Sequence, residues 1–252
     1  MTDAPGMINK KHTTNIKEDF TKRSKIRDIG RWYINKFVHQ ISDDLPDNAL
    51  VLDAGAGECA YRRFFNHCQY KSLDLAVGEE NWNYQNLDYI APLHKIPIAD
   101  NTFDAVLCTE VLEHLERPRE SVKEIYRVLK PCGKLFLTVP MAHAEHQAPH
   151  DFFRYTSYGL RSICQEAGFK NISITPFGGM FVRWAYELPD CKSIFPVLRT
   201  NDGDINTKGL VIFPVKAFTH LLIRALQFIL IRIDTLDKKR DFPFGWGVIC
   251  EK

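Results

Sequence analysis

Residues able to do chemistry occur in this chain as an ordered series. Asp53 follows an apolar run, Ala49-Leu50-Val51-Leu52, and Gly55 and Gly57 come directly after it. An acid at a strand end followed by glycines lets a ligand approach the backbone closely. A helix starting there would aim its free N–H groups into the same crevice. About twenty residues on, Asp74 ends the run Tyr70-Lys71-Ser72-Leu73. An acid so placed suits the two hydroxyls of a ribose, because a carboxylate accepts two hydrogens at once. Asp88 follows Asn86-Leu87, and Glu110 closes the run Phe103–Thr109 with Glu113 and His114 just beyond. A polar run after Pro140 then carries His143, Glu145, His146, His150, Asp151 and Arg154. Imidazoles and carboxylates this dense offer a general base or a metal site. The run lacks the helical i, i+4 pairing that identifies such a site, so no metal is expected.

Periodicity predicts the elements that must position these residues. Strands are expected to end at Asp53, Asp74, Asp88-Tyr89 and Glu110, and to span 134–139, 171–176 and 244–251. One helix is expected over Tyr61–His67, directly after the glycines, and another ending in Lys130-Pro131-Cys132-Gly133. Thr156 should cap a third helix running to Ala167, with Gly168 ending it. Residues 22–42 carry Ile26, Ile29, Tyr33, Phe37 and Ile41 at helical spacing. That helix either covers the crevice or simply packs.

In this order the motifs resemble the class I S-adenosylmethionine-dependent methyltransferases, most closely the small-molecule subgroup called methyltransferase type 11. The resemblance covers residues 48–176 and returns at 244–252. It implies an α/β fold, a Rossmann-like doubly wound seven-stranded sheet with the last strand antiparallel and a helical insertion before it. It implies S-adenosyl-L-methionine as cofactor, held by Asp53, Gly55, Ala56, Gly57, Asp74, Leu75, Asp88, Tyr89 and Thr109. Within that set Asp53 would organise the glycine loop near the cationic amino group, Asp74 would take the ribose, and Asp88 the adenine amino group. Cys59 stands where the family usually has a third glycine. The same position, with Ala60, breaks the Gly-x-Gly-x-x-Gly spacing of a nicotinamide dehydrogenase.

Acceptor-side expectations follow from the same resemblance. The Asn/Asp-Pro-Pro-aromatic motif of amino-group methylation on nucleobases is missing at Cys108-Thr109-Glu110. This leaves oxygen, carbon or simple amine acceptors, with oxygen preferred. Glu113 and His114 would mostly settle the following segment onto the sheet. The segment His146-x-x-Pro149-x-Asp151-x-x-Arg154-Tyr155-Thr156 is similar to one in methyltransferases of bacterial glycans and small molecules. It implies an acceptor pocket shaped by His150, Asp151, Arg154 and Tyr155 near Glu110, with His146 or His150 as base. A polar loop pinned by Arg–Asp pairing is the simpler alternative. A cofactor-binding sensor or assembly partner without chemistry is the competing function.

Composition bounds the rest. The chain has 252 residues, 45% of them hydrophobic, and a net charge of +2, so no global field recruits nucleic acid. Seven scattered cysteines without Cys-x-x-Cys spacing suggest reduced thiols and a cytoplasmic protein. Residues 1–20 are polar, carry no apolar signal core and are expected to fray; 21–252 form the enzyme domain. Its core is 48–176 and 244–252, and 177–243 is a helical insertion. Within the insertion, Lys216, His220, Arg224, Gln227 and Asp234 share one helical face and aliphatic residues fill the rest. Residues 208–240 hold seven Lys/Arg and two Asp, a balance of +5. Such a helix either packs on the sheet or on a second subunit of a homodimer, or lies on a membrane through 213–240, on its inner face. The acceptor is then a small molecule or a lipid-linked glycan.

Overall fold

The computed structural model describes residues 27–78, 82–196 and 206–252. The expected fraying segment 1–20 lies outside them. One seven-stranded sheet organises the chain, in the order β3-β2-β1-β4-β5-β7-β6. The strands are β1 (Leu50–Ala54), β2 (Gln69–Asp74), β3 (Tyr89–Ile90), β4 (Phe103–Thr109), β5 (Leu129–Pro140), β6 (Lys170–Phe177) and β7 (Gly245–Glu251). Strands β1 to β5 are parallel, and β7 runs antiparallel between β5 and β6. This is the doubly wound sheet expected from the sequence. Chain order reverses between β1 and β4, and at such a switch point a ligand crevice opens beyond the carboxyl ends of the strands.

Alternate strand residues feed two cores, one on each face. Leu52, Val106, Leu135 and Leu137 pack with Val122 and Ile125 of α2 (Pro118–Val128) and with Leu160 and Ile163 of α3 (Ser157–Ala167). Val51, Ala105, Leu107 and Phe136 point the other way. They meet Ile34, Phe37, Val38 and Ile41 of α1 (Ile29–Asp43) and Val182 and Ala185 of α4 (Met180–Glu187). Burial on both faces is why the central strands read as unbroken apolar runs. Asp28 caps α1 by accepting from the Arg31 amide at 2.8 Å. Thr156 caps α3, and Gly168 ends it at φ 106°, both as expected.

Three local expectations fail for identifiable reasons. The helix expected over Tyr61–His67 is only a 3-10 turn, Arg62–Phe64, because the chain must drop at once into β2. Residues Lys130–Gly133, expected as a helix end, already belong to β5. Leu129 pairs with Phe103, and the ladder resumes at Lys134 opposite Ala105, so Pro131 and Cys132 sit in an irregularity of the strand. Asp88 precedes β3 and is not part of it.

Between β6 and β7 come α4, a 3-10 stretch (Leu188–Ile194), α5 (Thr207–Ile233) and a final 3-10 turn (Asp234–Leu236). Buried Asp234 accepts from the amides of Gly179 (3.1 Å) and Val182 (2.9 Å), and Asp237 from that of Met180 (2.8 Å). Two carboxylates thus satisfy the open N-terminus of α4. Gln227, also buried, donates to the Ala185 carbonyl at 2.8 Å. The polar stripe of α5 therefore faces the protein. Its apolar side faces outward, with Val211, Val215, Phe218, Leu221, Leu222, Leu226 and Ile229 all exposed. Of the other aliphatic residues of this helix, Ile223 is buried and Leu230 and Ile231 pack against the core, so the helix both packs on the chain and leaves an apolar face outward.

Candidate active site

A crevice of about 810 Å³ opens at the carboxyl ends of β1, β2 and β4. Gly55 and Gly57 line one wall at φ 87° and 50°. A Cβ on Gly55 would come within 2.3 Å of Val111, so the glycine loop and the turn after β4 are in van der Waals contact. Cys59 takes φ 59°, the left-handed conformation that a third glycine would adopt freely, and is buried.

Asp74 sits where the loop folds back. Its Oδ2 accepts from the Gly57 amide at 2.9 Å and its Oδ1 from the Ala76 amide at 2.8 Å. Each oxygen keeps a further acceptor site for a ligand. Leu75, Ala56 and Thr109 also line the crevice. Asp53 lies beneath the loop, fully buried, and accepts from the Tyr70 hydroxyl. Its other oxygen, Oδ1, has no hydrogen-bond partner among the described residues. Burial pushes its pKa up to about 7, against the opposing effect of the Tyr70 hydrogen bond.

Asp88 and Tyr89 are not among the crevice-lining residues. Asp88 is committed to Lys71 (2.8 Å) and to the amide and hydroxyl of Ser72 (both 3.0 Å), which clamps the edge of the sheet. Ala91, Pro92, Leu93 and His94 line that part of the crevice instead.

The other half is built from the turn after β4 and the loop 141–156. Glu110 sits at φ 52° and accepts from the Thr138 hydroxyl at 2.8 Å. Burial raises its pKa. Four links join turn to loop, one of them the Phe153 amide on the Glu113 carbonyl at 3.2 Å. The Tyr155 hydroxyl donates to the Leu112 carbonyl (2.9 Å), the Phe152 amide to the Glu113 carbonyl (2.9 Å), and the His114 Nδ1 meets the His150 carbonyl (2.5 Å). His114, His143, His146 and His150 line the crevice. Burial lowers the pKa of His114 and of His146, so both imidazoles are neutral at pH 7.

The expected acceptor set is split by the fold. His146, His150 and Glu110 reach the crevice, while Asp151, Arg154 and Tyr155 do not line it. Arg154 grips both oxygens of nearly buried Asp151 (2.6 and 2.8 Å) and donates to the carbonyls of His143 and Ala144. That guanidinium holds the Asp151 carboxyl well below the usual range. This pair is the Arg–Asp pin of the simpler alternative. Tyr155 is buried against Trp246, whose indole donates to the Tyr155 carbonyl at 3.0 Å.

Several crevice residues escaped the sequence reading. Arg31 of α1 donates to the Tyr61 hydroxyl at 3.1 Å, and both line the crevice. Tyr186 of α4 reaches it from the insertion, 5.8 Å from the His143 ring. The strand-by-strand motifs carried no signal for residues on covering helices. The one available hint was Asp28 as an N-cap three residues before Arg31.

Comparison with known proteins agrees with this layout. The methyltransferase domain family matches residues 52–137. The ubiquinone/menaquinone biosynthesis C-methyltransferase UbiE of Rickettsia typhi is 24% identical over 171 residues, 58% of this chain and 66% of that protein. The malonyl-[acyl-carrier protein] O-methyltransferase of Enterobacter lignolyticus is 33% identical over 96 residues, 36% of this chain and 38% of that protein. A SAM-dependent methyltransferase from Archaeoglobus fulgidus superposes with a TM-score of 0.51 at 16% identity, covering 89% of this chain and 100% of that one. The strand order, the glycine loop and the match that begins inside β1 have one common reading: residues 52–137 form a methyltransferase domain, carried on the seven-stranded sheet of the S-adenosylmethionine-dependent methyltransferase fold.

Proposed function

We propose that the protein transfers a methyl group from S-adenosyl-L-methionine to an oxygen of a small or lipid-linked acceptor. The observation that carries methyl transfer is the pairing of Asp74 with the glycine loop at the switch point of the sheet. The residues present fit the cofactor. Gly55 and Gly57 line the crevice at positive φ, and Asp74 keeps acceptor capacity for two hydroxyls. The orphaned Oδ1 of buried Asp53 is an acceptor awaiting a donor, as an ammonium would be. When bound, the cofactor supplies an already electrophilic methyl group, so the protein's task is alignment. Thr109 and Glu110 define the end of β4, where the two halves of the crevice meet. His143, His146 and His150 of the loop line the same crevice, and an imidazole there can accept an acceptor proton.

The relatives' names divide between carbon and oxygen, so the acceptor atom rests on the chemistry of the loop. Neutral imidazoles suit removal of a hydroxyl proton. Lipid linkage is favoured by α5. Among the described residues, the stretch Val211–Leu236 is long and apolar enough to cross a membrane by length and composition, with mean hydropathy 1.4 and 11% buried. Its anchors to α4, Gln227 and Asp234, hold it along the protein surface. It therefore suits lying in the plane of an anionic membrane with its outer apolar face inserted, and Arg232, Lys238 and Lys239 are exposed at its end to meet headgroups. Calorimetric titration with S-adenosyl-L-methionine, followed by product analysis on lipid extracts and soluble hydroxylated acceptors, tests the function. Failure to bind the cofactor overturns it. Tight binding without methylation of any acceptor favours the sensor.

A further inference from the structure

The turn after β4 and the loop 141–156 bring together three metal-ligand side chains that are separated in sequence. One ligand atom each from Glu113, His114 and His146 lies within 4.8 Å of the others. Glu113 is fully buried, and neither of its carboxylate oxygens has a hydrogen-bond partner among the described residues. Nor has the buried Nε2 of His114. The Glu113 Oε1 lies 3.7 Å from that nitrogen, too far for a hydrogen bond. A bare carboxylate buried beside a bare imidazole nitrogen is costly unless something bridges them.

The surrounding bonds fix the imidazoles for ligation. His114 Nδ1 meets the His150 carbonyl at 2.5 Å, and His146 Nδ1 meets the Ala144 carbonyl at 3.1 Å. A carbonyl only accepts, so the His114 Nδ1 carries the hydrogen and its Nε2 keeps its lone pair, while the His146 Nδ1 has both the Ala144 carbonyl and, at 3.5 Å, the Arg154 guanidinium beside it. Metal-binding histidines are oriented in this way by carbonyls and carboxylates behind them. Around a cation with bonds of about 2.0–2.2 Å, ligand atoms stand roughly 3.0–3.5 Å apart. The 3.7 Å between Glu113 and His114 is close to that range, and a ligand atom of His146, on the loop, lies within 4.8 Å of both.

We propose that Glu113, His114 and His146 form a divalent-cation site in the wall of the crevice. Two imidazoles and one carboxylate select a first-row ion such as zinc over calcium or magnesium. Three protein ligands leave positions open, and two of them, His114 and His146, line the crevice, so those positions open toward it. This assigns an acceptor class: a molecule whose hydroxyl, alone or with a neighbouring oxygen, ligates the ion. The assignment of acceptor class rests on the methyl-transfer reading, whereas the ion site does not.

The test uses the full-length protein stripped with a chelator and titrated with Co2+ and with Zn2+ alone. Expected are one equivalent of Co2+ giving a visible ligand-field absorption, its displacement by Zn2+, and a higher melting temperature with metal. His146→Ala, on the surface loop, should weaken binding at least tenfold, and so should Glu113→Gln. If Glu113→Gln does not fold, His146→Ala carries the test. Absence of a spectrum and of binding heat overturns the site, as does binding unaffected by His146→Ala. None of these readouts needs cofactor or turnover. Metal bound by an inactive protein therefore upholds the site while the methyl-transfer reading fails, and full turnover in metal-free protein rejects the role assigned to the ion.

Discussion

The Gly57 amide donates to Asp74 Oδ2 across 17 residues of chain, at 2.9 Å. This bond ties the turn after β1 to the end of β2, so one carboxylate both shapes the glycine loop and faces the crevice. Asp74→Ala should weaken S-adenosylmethionine binding by about 1.5–3 kcal/mol, the usual worth of hydrogen bonds to a charged group. Calorimetric titration measures it, and an unchanged circular-dichroism spectrum would show that the fold survives. Unaltered affinity would remove Asp74 from the ribose.

Asp53 should make stability depend on pH. Its pKa rises to about 7 on folding because it is buried, above an unfolded value of about 3.9. The folded state therefore binds the extra proton between these values, and stability falls as pH rises from about 4 to 7. Urea midpoints of Asp53→Asn should fall less over that window than those of the wild type. If a cofactor ammonium pairs with the carboxylate, binding near pH 6.5 should release a proton. Titrations in two buffers of different ionisation enthalpy would detect it, and equal heats would count against the pairing.

Arg154→Ala should cut turnover while leaving cofactor affinity within about twofold, roughly 0.4 kcal/mol. The guanidinium holds Asp151 and the carbonyls of His143 and Ala144, and so fixes the histidine loop without touching the glycine loop. Arg154→Lys cannot reproduce the two-oxygen grip on Asp151 and should rescue only partly. Loss of cofactor binding in step with turnover would show that the loop supports both halves of the crevice.

Leu226, 38% exposed on the outer side of α5, tests the membrane surface. The wild type should co-sediment with anionic vesicles at low salt and be released by high salt. Leu226→Asp should keep its melting temperature and lose the vesicles. A wild type that ignores such vesicles and elutes as a dimer would mean that a second copy covers the face, with a soluble acceptor.

The sheet was legible because its signals are local. Strand ends marked by Asp53 and Glu110 rest on largely apolar runs buried on both faces, and Asp74 ends a half-buried run whose acid still marks the strand end. The cap and stop of α3 were equally local, one hydroxyl and one glycine. What only tertiary structure decided is which side chains share a space. Asp88 and Asp151 look like site acids in sequence, but Lys71, Ser72 and Arg154 occupy them. Glu113 and His114 look structural, and only the folding of the loop 141–156 over the β4 turn brings His146 to them. The direction of α5 was likewise undetermined. A helical wheel gives two faces, but the Gln227–Ala185 bond and the Asp234 cap on α4 turn the polar one inward. Periodicity reports that a residue must be buried or paired, and its partner is set by long-range contacts that spacing along the chain does not encode.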